Sequence, residues 1–597
     1  MCIEFKHNSL SKKITDLLPN LEMATKTLKL QSVSKKTNAR KLVISTNWLD
    51  VFGFNKGTDV IEDVVGRNQG IEVLKASISD TKTKKVYSRS YKNRGDETQM
   101  DIRSQAKLNM GLGDAVEAHI VFTKNKLSIS PIFAPENRAI ASGLNITLGE
   151  KGISFTAIID ALNTIRDKKF AKLVVEADES YKNSQEFTIF LMSIRRMGYS
   201  LEKTASGSLV AVLGDGAVAS MADYKHFPTF TNTPPKFDHK NPLGTFSVCT
   251  SGVDVYGIEK EGFNVSAALD YRPIEERDVK KTACPETGII TRKLKSDKTE
   301  AGAICTAINA KSLKLIINED IYKAILNQST TKYLKNISFF QASLQCCDFS
   351  AMKNKADRER HIQDLSSTRD MIIPMLQIIE HINPATALIE NVVPFAKSDE
   401  CALFVDRLRM VGYTVSVKVL AAEDFNGYTK RPRCYIFATK LESSFNWPTP
   451  VKRTSHVWND IIEPNQHLMR DITHSKSVQK GIAIGRIRPI KQGSHVAPTV
   501  VKSASRVTKD GVYPKIGDRY FMPNNDMFKM MMGIDEGFDL SLFSQETGTE
   551  FIGQSVCLNL HKHIATSIKK HILEFAYKNL SNAKNTLMFN QLAPLPL

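Results

Sequence analysis

The chain has 597 residues, 42% of them apolar, and a formal net charge of +18. Such a length predicts about two to four domains with packed cores, and the positive charge favours a polyanionic partner, nucleic acid first, over a merely solvated basic surface. Several classes are excluded: no run approaches the roughly eighteen apolar residues of a membrane helix, the start MCIEFKHNSL lacks a signal peptide's apolar core, and nine cysteines without zinc spacing predict neither a disulfide scaffold nor a metal site. A reducing, cytoplasmic setting is expected.

Residues 1–40 are polar and weakly periodic, which predicts a short helix and a loose tail. Residues 41–135 predict a β-rich hairpin domain. Within it, 42–77 and 108–132 share one grammar. A Gly and an Asp (Gly57 and Asp59; Gly113 and Asp114) precede an alternating strand, a turn and a second strand, consistent with a duplicated hairpin. Between them, KTKKVYSRSYKNR (82–94) sets basic residues around Tyr87 and Tyr91, as a phosphate-contacting strand or as an exposed basic hairpin. Residues 136–215 predict a small α/β unit, and the Pro-rich 216–242 a linker.

From residue 243, strands alternate with helices, which predicts an α/β, doubly wound sheet. FSVCTSGVDVYGIEKEGFNVSAALDY reads as strand, polar loop, helix and a strand ending in Asp270. That is the first half of a nucleotide-binding βαβ unit, or an ordinary βαβ turn, since only Gly252 and Gly257 supply glycine. Asp320 follows another apolar strand, where it could bond a purine amino group. Then come QASLQCCDFS (341–350) and ALIENVVPF (387–395). A cysteine and a glutamate on two strand ends could attack a flat heteroaromatic ring and protonate it, although paired cysteines after a β-rich run are more often buried.

In this order, FSVCTSGVDVYGIEKEGF, LD, ED, QCCDFS, IENV, GYTKRPRCYIFAT, APTVV and FIGQSVCLNLHKHIA resemble the cytosine-C5 DNA methyltransferases over about residues 243–580. The resemblance implies a Rossmann-like S-adenosylmethionine-dependent methyltransferase domain over 243–440 and 516–597, interrupted by a target-recognition insert at 441–515. It implies Cys346 as the nucleophile, selected over Cys347 by its spacing to Phe349-Ser350. It implies Glu390 as the acid, Arg431 and Arg433 as the family's two arginines, and Phe246, Gly252, Asp270, Asp320, Gln554 and Ser555 as cofactor-binding. The activity implied is DNA (cytosine-5-)-methyltransferase on a specific double-stranded DNA sequence, with a cognate restriction endonuclease as a further expected partner. Gln345, Cys347, Thr429 and Gln554 stand where the family has Pro, Gln, Gln and Asn. The alternative is therefore a catalytically impaired, DNA-binding regulator on the same fold; RNA cytosine methylation is a third reading. More weakly, the pattern N-W-L…F-G-F-x-x-G-x-x-V (47–60) resembles AbrB-type swapped hairpins.

The chemistry needs these residue types. Carbon 5 of cytosine is a poor nucleophile until a thiolate adds at carbon 6. A protonated carboxyl at ring nitrogen 3 stabilises the adduct, and burial keeps it protonated. Neighbouring arginine charge favours the thiolate. A base stacked in a duplex must be flipped out first. In the insert, Trp447 and Trp458 stand among Lys452, Arg453, Arg470, Arg486, Arg488 and Lys491, as a DNA-contacting surface or a solvated cap. GIAIGRI (481–487) predicts a strand there. Residues 562–580 predict an amphipathic helix packed back on the sheet, and the last residues a loose end.

Overall fold

The structure, a computed structural model, describes residues 18, 20–34, 37–91, 95–133, 144–148, 158, 161–162, 164–165, 170, 172–177, 184–197, 199–203, 209–213, 234–235, 237–249, 251–272, 279–283, 290–294, 299–324, 326–346, 348–349 and 368–592.

One thirteen-stranded sheet runs through it. Its first strands are β1 (Met23–Lys29), β2 (Asp59–Gly66), β3 (Gly70–Lys75), β4 (Lys84–Lys85), β5 (Glu117–Thr123) and β6 (Lys126–Ile132). The later ones are β7 (Gly244–Val248), β8 (Asn264–Leu269), β9 (Leu315–Ile317), β10 (Phe339–Ser343), β11 (Thr386–Val392), β12 (Thr414–Ala421) and β13 (Pro432–Thr439). The spatial order is β12-β13-β11-β10-β7-β8-β9-β1-β5-β6-β3-β2-β4. Strands β9, β8, β7, β10 and β11 are mutually parallel, and β13 is antiparallel between β11 and β12. The chain leaves β7 toward β8 on one side, and β10 later pairs on the other. The strand order thus reverses between β7 and β10, and open α/β sheets receive ligands at the carboxyl ends of the strands beside such a reversal. This is a doubly wound, Rossmann-like architecture.

Both faces of the parallel part are covered, so its strands read as near-continuous apolar runs. Phe339 joins one core and Phe340 the other, because neighbouring strand residues point to opposite faces. Each ring so buried contributes about 1.5–3 kcal/mol. Helices α1 (Val253–Lys260), α2 (Ala301–Asn309) and α7 (Leu558–Leu592) cover the first face, and α3 (Ile372–Ile382) and α4 (Asp399–Met410) the second. Helix α4 starts where Ser398 accepts the Cys401 N–H at 3.2 Å, and its Arg407 is tied to Glu380 of α3 at 2.6 Å.

The N-terminal part differs from the sequence expectation. Residues 23–34 and 37–45 are strands, not a helix and a tail. Polar residues of β1 misled the reading: Thr25 is wholly buried, and Lys26 lies in a buried ion pair with Glu300 at 2.6 Å. The two expected hairpins form as β2–β3 and β5–β6 and lie side by side through β3 and β6. They do not stand apart as a separate sheet: β1 pairs with β9 in parallel and with β5 antiparallel, so they extend the doubly wound sheet. Within the stretch 47–60, Trp48–Val51 is a short helix with Trp48 and Leu49 wholly buried. The small α/β unit shows strands Leu144–Leu148, Lys172–Ala177, Tyr199–Lys203 and Leu209–Leu213 with helix Gln185–Arg196. Most of the expected linker 216–242 lies outside the described residues.

In the insert, Arg470–Asp471, Arg488–Ile490, Val512–Ile516 and Arg519–Met522 form a four-stranded sheet, so its structure continues past 515. GIAIGRI is not a strand. Its start ends helix α5 (Lys476–Ala483), and Gly485 turns the chain with φ +63°. Gly481, taken for a strand boundary, is a close contact: a Cβ there would meet the Lys509 carbonyl oxygen at 2.2 Å.

Candidate functional site

Parallel pairing sets Ser343 of β10 opposite Glu390 of β11, and the Leu344 N–H donates to the Glu390 carbonyl at 3.3 Å. Two residues further, half-buried Cys346 opens the loop after β10. That loop is anchored at both ends. The Gln345 N–H reaches Met371 Sδ at 3.5 Å, and the Asp348 carboxylate accepts the Thr368 N–H at 2.7 Å and its hydroxyl at 3.0 Å. Phe349 is buried against Phe395 with centroids 5.0 Å apart, and the Arg369 guanidinium lies 5.0 Å from its ring. Cys347, Ser350 and residues 351–367 lie outside the described residues.

Arg433 Nε lies 2.9 Å from Glu390 Oε1. Antiparallel pairing puts Arg433 opposite Val392, two residues along the same face from Glu390, the diagonal a long side chain can span. Burial pushes the Glu390 carboxyl above its ordinary range, while Arg433 and then Arg431 oppose that shift. Arg431 is only 1% exposed. Its guanidinium donates to the carbonyls of Val500 at 2.9 Å, Gly553 at 3.1 Å and Ser555. Burial lowers its pKa to about 9, and Cys346 and Glu390 are among the groups acting on it. Its φ of +29°, just before Pro432, is a conformation that side chains other than glycine rarely adopt. The expected nucleophile, acid and both arginines therefore converge at one end of β10, β11 and β13.

The expected cofactor residues divide. Asp270 follows β8 and is buried; its carboxylate accepts the Ser251 N–H at 2.7 Å and the Thr306 hydroxyl at 3.0 Å. Burial raises its pKa to about 6. Cys249, Ser251 and Gly252 all have positive φ, which folds the loop after β7 tightly against α2; a Cβ on Gly252 would meet Thr306 Cα at 2.9 Å. Asp320 lies past β9, half-exposed, and takes the Tyr322 N–H at 3.2 Å. Phe246 does not fit its expected role: its ring is wholly buried, 5.9 Å from Phe340, because the strand alternation turns it into the core. Nor does Gln554, which is exposed at the end of helix α6 (Gln545–Gln554), while the Ser555 hydroxyl is spent on the Ile552 carbonyl at 2.8 Å. A carboxylate offers about four acceptor sites, and Asp270 uses three of them, on Ser251, Thr306 and Tyr271. A site for a ribose hydroxyl remains, so the donor set at Asp270 fits an adenosyl group. Among the described residues, no group of three or more His, Cys, Asp or Glu is placed to hold a metal, and no helix is long and apolar enough to cross a membrane.

The family model for C-5 cytosine-specific DNA methylases matches residues 309–570. The matched segment is similar to that family over somewhat less than half of the chain. It carries Cys346, Glu390, Arg431 and Arg433, and its match begins after the β7 loop and Asp270. The family is one of cytosine C5 methyltransferases. No curated protein matches the chain by sequence. Among solved structures, the Schizosaccharomyces pombe Dnmt2 methyltransferase is similar at 14% identity, covering 55% of this chain and 98% of its own, with a TM-score of 0.41. The Entamoeba histolytica methyltransferase EhMeth is similar at 13% identity, with coverages of 55% and 98% and a TM-score of 0.38. The strand order, not these likenesses, carries the fold.

Several residues of this site gave no sequence signal. Ser343 hydrogen-bonds Glu390, and Thr306 bonds Asp270 from 36 residues away. Both are common residue types in unremarked positions. The three carbonyls on Arg431 are backbone groups, which no motif records.

Proposed function

We propose that the chain is a DNA (cytosine-5-)-methyltransferase acting on cytosine in double-stranded DNA. The observation that supports it most is the pairing of Ser343 with Glu390, which brings the Cys346 loop beside the Glu390–Arg433 pair. The Cys346 thiolate adds to carbon 6 of a flipped cytosine. Glu390, its carboxyl pushed toward the protonated form by burial, hydrogen-bonds ring nitrogen 3 and stabilises the charge of the adduct. Arg431 and Arg433 set the positive field in which the thiolate forms. Asp270 holds the adenosyl end of S-adenosylmethionine, which when bound supplies the methyl group. Loss of the carbon-5 proton and expulsion of the thiolate restore the aromatic ring. The target base must leave the duplex, at a cost of a few kcal/mol, and the exposed basic insert residues hold the flanking phosphates.

A second reading keeps the fold and DNA binding without turnover. The buried Phe246 ring and exposed Gln554 favour it, since neither presents the side chain expected at the cofactor. Duplex DNA containing 5-fluorocytosine separates the two. The enzyme becomes trapped covalently through Cys346 when the methyl donor is present, whereas a binding protein elutes intact. Running RNA beside duplex DNA as methyl acceptor assigns the substrate.

A further inference from the structure

The N-terminal strand-and-hairpin unit meets the methylase part beside Asp270. Asn318, one residue past β9 and 1% exposed, is the junction. Its side-chain amide donates to the Asp270 carbonyl at 3.0 Å and to the Thr299 carbonyl at 3.0 Å. Its side-chain oxygen accepts the Trp48 indole N–H at 3.4 Å, and its backbone N–H donates to the Thr25 carbonyl at 3.0 Å. Two donors and one acceptor of a single side chain are thus all engaged, a combination only an amide offers.

A second grip comes from the same unit. Glu300 is 4% exposed and precedes α2 directly. Its carboxylate pairs with Lys26 at 2.6 Å, accepts the Asn47 N–H at 3.1 Å and side-chain amide at 2.8 Å, and takes the Thr46 hydroxyl. Helix α2 in turn faces the Asp270 carboxylate: Thr306 bonds it, and a Cβ on Gly302 would come within 2.8 Å of it. The backbone of Asp270 is therefore held through Asn318, and its carboxylate through α2 and Glu300. Both chains of contacts end on Thr25, Lys26 and Thr46–Trp48.

We propose that Asn318 is a positioning residue for Asp270, and that the N-terminal unit, through Trp48, completes the S-adenosylmethionine half of the site. This rests on the reading of Asp270 as the adenosyl-binding acid.

The test uses the full chain and calorimetric binding of S-adenosylhomocysteine, with duplex DNA affinity and melting temperature measured alongside. Trp48→Phe removes the N–H donor and part of the indole's bulk while keeping a buried aromatic ring. It should weaken S-adenosylhomocysteine about threefold, and Asn318→Ala about tenfold, with duplex affinity unchanged. Should Asn318→Ala fail to fold, Trp48→Phe carries the result. Wild-type binding with Trp48→Phe and Asn318→Ala within twofold of it overturns this inference alone. An equal loss of cofactor and duplex affinity also overturns it, since that marks general destabilisation. A wild-type chain that takes up no S-adenosylhomocysteine overturns the cofactor reading and this inference with it.

Discussion

Arg433 reaches diagonally across an antiparallel strand pair to hold Glu390 at 2.9 Å, so burial disfavours the charged form of the site's acid while Arg433, Arg431 and a Ser343 hydrogen bond favour it. Burial wins, and the carboxyl stays above its ordinary range. Glu390→Gln should lower kcat by about 10²–10⁴ while leaving duplex affinity close to wild type. Arg433→Ala removes the charge that favours the carboxylate, so Glu390 should hold its proton to higher pH. The alkaline limb of the rate profile then moves upward, as steady-state rates across pH would record. The sign for stability is consistent: a carboxyl with a raised folded pKa binds more protons folded than unfolded, and its contribution is lost as pH rises through that folded pKa.

Arg431 ties three separate segments, β13, the end of the insert and the end of α6, through carbonyls of Val500, Gly553 and Ser555. Arg431→Ala should cost about 3 kcal/mol, because buried carbonyls lose charge-assisted donors together. Chemical denaturation should show the loss. Arg431→Lys should recover only part of it, since an ammonium cannot reproduce the planar fork.

Asp270 has a pKa raised to about 6 by burial. Its ionised form accepts hydroxyls best, so S-adenosylhomocysteine affinity should weaken as pH falls below about 6, approaching tenfold per pH unit. Asp270→Asn should flatten that dependence. For the fold the sign is opposite: between the ordinary Asp range and about 6 the folded state binds the extra proton, so this residue's contribution to stability falls as pH rises through that window.

Basic residues of the insert are not equivalent. Arg486 is exposed, whereas Arg453 donates to the carbonyls of Gly427 and Glu423. Arg486→Ala should reduce the slope of log affinity against log salt by about 0.9 for each duplex phosphate lost. Arg453→Ala should instead lower stability. Filter binding at several salt concentrations, with melting curves, distinguishes them.

Much of the C-terminal half was legible because its candidate site residues lie at strand ends. QCCDFS, IENV and TKRPR each follow or occupy an apolar run, and parallel pairing brings such ends together. The N-terminal half was not legible for the opposite reason. Lys26 and Glu300 look like surface residues until they pair with each other, 274 positions apart, in the interior. Phe246 shows the limit of motif matching: strand alternation, which no motif encodes, turned its ring into the core. Gly481 shows another, since a glycine needed for close packing in a helix has the same letter as one that ends a strand.

Bisulfite sequencing of DNA from cells expressing the wild-type chain or Cys346→Ala tests the central claim most directly. The account predicts protected cytosines within one recurring sequence for the wild type and none for Cys346→Ala, with both proteins folded and bound to DNA. Wild-type DNA without 5-methylcytosine, or the same methylation pattern from Cys346→Ala, would contradict it.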